Sequence, residues 1–156
     1  MNAGRIPVAL AVLLPVLALT AAAAVANDDC LVCHSDPGLK SRAGRPVAVD
    51  PEKFKASIHG QAEVACVDCH TDLKAVKDFP HAEKLKGVSC AGCHEKETQS
   101  LAASVHGAAR VAKGGTTVSC KDCHGTHDIR AKDDFASTTF PMNLPQTCLA
   151  CHSAKV

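Results

Sequence analysis

Cys120-Lys121-Asp122-Cys123-His124 is a unit of two cysteines three apart with a histidine directly behind them, and the chain repeats it four more times. The others are Cys30–Cys33–His34, Cys66–Cys69–His70, Cys90–Cys93–His94 and Cys148–Cys151–His152, so all ten cysteines are used and none is left over. Two cysteines at this spacing share one face of a helical turn, where their sulfurs can add to the two vinyl groups along one edge of a haem. The histidine behind them then reaches the iron from beneath. A single Cys-x-x-Cys pair is a modest signal, because redox and zinc sites use it too. Five pairs that exhaust the cysteines and each end in histidine weigh decisively for haem. Zinc needs two pairs per tetrahedral site and strands the fifth, and a thioredoxin-like site needs a βαβ context that this chain lacks. Five disulfides, the default for ten cysteines in an oxidising compartment, do not fit the spacing.

Working outward from these units, four of the nine histidines remain: His59, His81, His106 and His127. A lone histidine is ordinarily a solvent-facing or hydrogen-bonded side chain. Five irons in want of a second axial ligand reverse that reading, and the four become the expected distal ligands. His127 lies three residues beyond His124, on the same side of that haem, so it is expected to serve a neighbouring haem instead. The fifth distal position has no histidine. Met142, six residues before Cys148, is the best side-chain candidate, and methionine would raise that haem's potential. Met142 as a plain gap filler, a lysine, a new amino terminus near Asn27, water or an open position are the alternatives.

Composition fits a core made of something other than side chains. Residues 1–26 carry one charge, Arg5, followed by an apolar run that ends in Ala24-Val25-Ala26, the pattern of a secretory signal cleaved after Ala26. The run is also long enough to span a bilayer, but Pro7 and Pro15 disfavour an uncleaved anchor, and no lipobox cysteine follows. The remaining 27–156 is read as one domain. It has no Trp, no Tyr and four Phe (Phe54, Phe79, Phe135, Phe140), too little for an ordinary side-chain core at this size.

The five units begin at residues 30, 66, 90, 120 and 148. Beneath that spacing lies a coarser repeat. Ser57-Ile58-His59-Gly60 and Ser104-Val105-His106-Gly107 each precede a haem unit, another histidine and another haem unit. After a lone first haem, this reads as two two-haem modules, at about 51–94 and 98–152. Asp50 as N-cap and Pro51 behind it predict a helix from about Pro51 to Glu63, and a second is expected from His94 through His106, stopped by Gly107. Gly114-Gly115 and Asn143-Leu144-Pro145 read as turns or loops. No stretch alternates in the manner of a strand, so the expected fold is mainly irregular with short α-helices, little or no sheet, and stacked haems for a core.

On these residues, together with Cys120-Lys-Asp-Cys-His-Gly-Thr-His127-Asp-Ile, the sequence resembles the periplasmic multihaem cytochromes c. It is similar to the small tetrahaem and pentahaem electron carriers, including the pentahaem donors to periplasmic nitrite reductase. The resemblance covers nearly the whole length after the leader and implies a chain of closely spaced haems acting as a wire. It also implies a distal histidine for every haem, and this chain is one short, with the first or last haem as the suspected exception.

The expected function is electron transfer in the periplasm by five covalent haems c, with extracellular export as an alternative address. The expected partners are a membrane quinol dehydrogenase and a reductase or outer-membrane cytochrome. Membrane association is then transient unless the leader is retained. A small enzyme or ligand sensor at the haem lacking a distal histidine, and a conducting subunit of a membrane complex or extracellular filament, are the competing readings. Beyond the leader, basic and acidic residues balance, and haem propionates make the loaded protein anionic, which disfavours a nucleic-acid partner. Lys74, Lys77, Lys84 and Lys86 read as a solvated face or propionate partners before a docking patch.

Overall fold

The computed structural model describes residues 25–107 and 117–152. The expected leader, apart from its last two residues, and the Gly114-Gly115 turn lie outside them. The described residues form short helices joined by irregular chain and contain no strand. Extended segments pair only at an isolated antiparallel bridge between Lys40 and Pro46. Helix α1 spans Asn27–His34, α2 Pro51–Ala56, α3 Ile58–Gln61, α4 Cys66–Cys69, α5 Glu95–Ala103, α6 Cys120–His124 and α7 Leu144–His152. Turns of 3-10 helix occupy Thr71–Leu73 and Cys90–Gly92. No described helix is long and apolar enough to cross a membrane.

Helix α2 begins as its sequence dictates. The Asp50 carboxylate accepts from the Glu52 and Lys53 amides at 3.0 and 3.1 Å, and Pro51 takes the first helical position, where its missing N–H is no loss. The helix does not continue to Glu63. Ser57 leaves it with an extended backbone (φ −71°, ψ 161°), and its buried hydroxyl accepts from the Gly60 amide at 3.0 Å, starting the separate turn α3 that carries His59. The second expected helix is cut short in the same way. It starts at Glu95 and ends at Ala103, where Ser104 turns extended (ψ 170°), donates to the Leu101 carbonyl at 2.7 Å and accepts from the His106 amide at 3.2 Å. In both copies the serine ends the helix, because its hydroxyl offers the backbone a partner that competes with the helical ladder. Gly107 therefore does not act as the helix stop.

The glycines of the two Ser-x-His-Gly elements serve close packing instead. A Cβ on Gly60 would lie 2.0 Å from the Phe54 carbonyl oxygen, and one on Gly107 would lie 2.3 Å from that of Leu101. Each glycine folds back onto the helix six residues before it, and this fixes the direction in which the histidine leaves the chain. A second departure from expectation lies at Asn143–Pro145. Leu144 and Pro145 open α7 instead of forming a loop, since proline is tolerated in the first turn of a helix.

Side chains alone do not make a core. Val67, 6% exposed, is the single buried hydrophobic residue among the described residues, while Val32, Phe135 and Met142 stand 80%, 79% and 81% exposed. The backbone is held by ties between distant segments. Val49 N–H donates to the His34 carbonyl at 2.7 Å and Ile58 N–H to the Ile129 carbonyl at 2.9 Å, and the segment 134–147 is knitted by Asn143 Nδ2 donating to the Phe135 and Ser137 carbonyls. A fold with this little buried apolar surface among its described residues lacks the main driving force of a globular domain.

Gly60→Ala and Gly107→Ala each force a methyl group into backbone and are expected to lower the unfolding free energy of the assembled protein by about 1–3 kcal/mol. Gly87→Ala, which meets nothing within 4 Å, stays within about 0.5 kcal/mol of the parent. Denaturant titration of the three variants side by side checks this.

Candidate haem sites

Every Cys-x-x-Cys-His unit sits on a turn of helix, and in four of the five the turn ends at or beside the histidine. The first closes α1, the second is α4 with His70 N–H bonded to the Cys66 carbonyl at 2.9 Å, and the fourth is α6. The fifth closes α7, and the third is the 3-10 turn at Cys90 with His94 N–H on the Cys90 carbonyl at 2.9 Å. Two of these turns carry a cap of their own. Asp68 accepts from the Ala65 amide at 3.1 Å, and Asp122 accepts from both the amide and hydroxyl of Ser119 at 2.7 and 2.8 Å. The Lys74 ammonium, 3.1 Å away, and the Ala65 amide hold the Asp68 carboxyl below the usual carboxylate range, and Ser119 does the same for Asp122. Aspartate in the third position of these two units was a signal in the sequence for such a cap.

The cysteine pairs follow one another in space as they do along the chain. Burial and the nearby Cys30 thiol push the Cys66 thiol up to about 11. Burial likewise raises Cys69, beside Cys93, then Cys90, beside Cys120, and Cys123, beside Cys148. A sulfur in a thioether does not titrate, so what these shifts convey is adjacency of units one and two, two and three, three and four, and four and five. Asn27 makes the first of these joints. Its side-chain oxygen accepts from the Cys66 amide at 2.7 Å and its nitrogen donates to the Val64 carbonyl at 3.5 Å, tying α1 to the second unit. Nothing in the sequence pattern pointed to Asn27 in this role.

The histidines form the centre of the site. His81 faces His34 with ring centres 5.9 Å apart, His59 faces His94 at 6.0 Å, His127 faces His70 at 6.3 Å and His106 faces His152 at 6.3 Å. Each pair joins one histidine of a Cys-x-x-Cys-His unit to one of the other four, and no histidine is used twice. Nine histidines leave one over, His124. The unit without an opposing histidine is therefore the fourth, not the first or last. Met142, the expected side-chain candidate, stands exposed on the turn before α7.

The pairs fit an iron between their rings. Two metal–nitrogen bonds of about 2 Å each, added to the distance from each nitrogen to its ring centre, place the two centres about 6 Å apart. Ring contact alone is too weak to maintain such pairs. It contributes about 0.5–1.5 kcal/mol, whereas closing a loop of about 35–57 residues costs about 3 kcal/mol or more. In the first pair the tautomers are set as well. His34 Nδ1 bonds the Val47 carbonyl and His81 Nδ1 the Ala82 carbonyl, both at 2.8 Å. A carbonyl only accepts, so both Nδ1 atoms carry the proton and both Nε2 lone pairs are free for a metal. Burial lowers the pKa of His70 and His127, favouring the neutral imidazole that a metal requires. All ten cysteines are free of disulfides, and no cluster of three or more His, Cys, Asp or Glu side chains suited to a metal ion forms among the described residues.

Short helices without a side-chain core, built around c-type attachment units and facing imidazoles, define a multihaem c-type cytochrome. The chain belongs to the family described as cytochrome c-type protein NrfB-like, whose model matches residues 30–112. It is 26% identical over 129 residues to the multiheme cytochrome MtrA of Shewanella baltica, covering 83% of this chain and 32% of that protein. It is 27% identical over 116 residues to the cytochrome c-type protein NrfB of Escherichia coli, covering 72% and 56%. With the high-molecular-weight cytochrome c of Nitratidesulfovibrio vulgaris it shares 25% identity over 147 residues, covering 81% and 23%. The chain thus spans between about a quarter and just over half the length of these relatives. No solved structure matches it.

Asn27→Ala removes both bonds between α1 and the second unit and is expected to cost about 1–2 kcal/mol of stability, read as a lowered thermal midpoint of the assembled protein.

Proposed function

We propose that the chain is a periplasmic electron-transfer protein carrying five covalently bound haems c. In this reading it passes electrons between a membrane quinol-oxidising complex and a terminal reductase or outer-membrane conduit in anaerobic respiration. The observation that carries the reading is the set of four imidazole pairs, each separated by the width of one coordinated metal. Cys30, Cys33, Cys66, Cys69, Cys90, Cys93, Cys120, Cys123, Cys148 and Cys151 hold the porphyrins. His34, His70, His94, His124 and His152 are the proximal ligands, and His81, His127, His59 and His106 complete the first, second, third and fifth sites.

Haem supplies one-electron chemistry at iron, tuned by its axial ligands and by exposure. The protein's part is geometry. With an imidazole on each side, four of the five sites offer no position to a substrate, so these can only accept and release electrons. Adjacency of consecutive cysteine pairs supports sites in chain order, an arrangement suited to relay between neighbouring haems. The Nδ1 bonds of His34 and His81 to carbonyls make both imidazoles stronger donors and favour the oxidised state at the first site.

Two modules, about 51–94 and 98–152, are supported by the matching helix, serine, histidine and glycine geometry at His59 and His106. In each, the histidine passes over the next unit and faces the one after it. His127 crosses between modules to His70, which makes the halves interdependent. Export through a cleaved leader of residues 1–26 completes the reading, and partners are redox proteins, not nucleic acid.

Intact mass of the exported protein tests the core of the proposal: a weight above that of the polypeptide by five haems is expected, and bare polypeptide overturns it. Electron paramagnetic resonance of the oxidised protein adds a sharper check. The rings of the first and second pairs lie 4° and 25° from parallel, those of the third and fifth 69° and 60°. Two low-spin haems are expected to give ordinary rhombic signals and two the large-gmax signals of crossed imidazole planes. Four identical rhombic signals would contradict the assigned pairs.

A further inference from the structure

We infer that the haem held by Cys120, Cys123 and His124 has an open sixth position that takes a small exogenous ligand: a diatomic on reduced iron, or a small anion on oxidised iron. The inference rests on the five-haem reading above and goes beyond electron carriage, because an open iron can bind and be regulated where a closed one cannot.

The count of imidazoles carries it. The chain has nine histidines, and eight are consumed by the four facing pairs. The histidine nearest to His124 in sequence is turned away from it by the backbone. Gly125 directly follows His124 with φ 77° and ψ −159°, a conformation that an L side chain would strain, and it closes α6 by donating to the Lys121 carbonyl at 3.0 Å. The chain leaves in a new direction, and His127 reaches His70 of the second unit. His106, the distal histidine of the same module, passes over the fourth unit and faces His152. Both histidines that flank the fourth unit in sequence are thus committed elsewhere.

The fourth unit is no degenerate copy of the others. Its turn has the fuller cap, with Asp122 holding the amide and the hydroxyl of Ser119, and the Thr138 hydroxyl bonds the Cys123 carbonyl, anchoring the segment before α7 on it. A firmly built attachment site that lacks only the opposing imidazole is what a ligand-binding haem requires, since a five-coordinate iron keeps its proximal histidine and offers the other face.

The loaded full-length protein, reduced with dithionite and titrated with carbon monoxide, is expected to bind one molecule per chain, with a Soret change amounting to one haem in five. The oxidised protein is expected to show one high-spin haem by spin counting. His106→Ala opens the fifth site and is expected to raise uptake to two. Five haems by mass with no carbon monoxide bound and no high-spin signal overturns this inference alone. Uptake that appears only in Met142→Leu makes the thioether the sixth ligand and overturns it equally. Fewer than five haems by mass overturns the parent reading and this one with it.

Discussion

Pairs of imidazoles drawn from positions 35 to 57 residues apart, and held a metal's width from one another, are the constraint on which this molecule depends. Each pair closes a long loop whose entropic cost exceeds what ring stacking returns. The rest of the chain is organised to deliver those rings. Short helices end on the proximal histidines, serine-terminated turns aim two of the distal ones, and the glycines behind them let one backbone lie directly against another. Val67 is the sole buried apolar side chain among the described residues, so the proposed haems meet no rival side-chain core there. Under the proposed five-haem reading, assembly and folding are one event, in the manner of small metal-organised domains.

The repeat of the sequence and the wiring of the structure differ instructively. His59 and His106 occupy the same local device and behave alike, each passing over one unit to face the next. His81 and His127 hold equivalent places in the order of motifs yet are deployed differently: His81 turns back to the lone first unit, and His127 crosses to the second. The local cause lies at the fourth unit, where Gly125 redirects the chain directly after His124. The two stretches share the order of their elements but not their spacing: His81 follows His70 by eleven residues, whereas His127 follows His124 by three.

Two electronic classes of site follow from the same geometry. Nearly parallel rings at the first and second pairs and crossed rings at the third and fifth would give an amino-terminal and a carboxy-terminal set of proposed haems different axial environments, and the fourth unit stands apart from both.

Much of this was legible before any coordinates. The five Cys-x-x-Cys-His units and the four further histidines that face four of them were picked out by residue type and spacing, because covalent attachment and axial ligation tolerate few substitutes. The lack of a sheet among the described residues follows from the absence of alternation, and the cap at Asp50 from its own side chain. What spacing could not decide was which imidazole meets which, because any of the four lies within reach of several units when the chain is unfolded. The fourth unit's lack of a partner, the ending of both helices at serine and the tie from Asn27 to Cys66 likewise belong to the tertiary structure. They are set by how distant backbones pack, and a local sequence pattern carries no record of that.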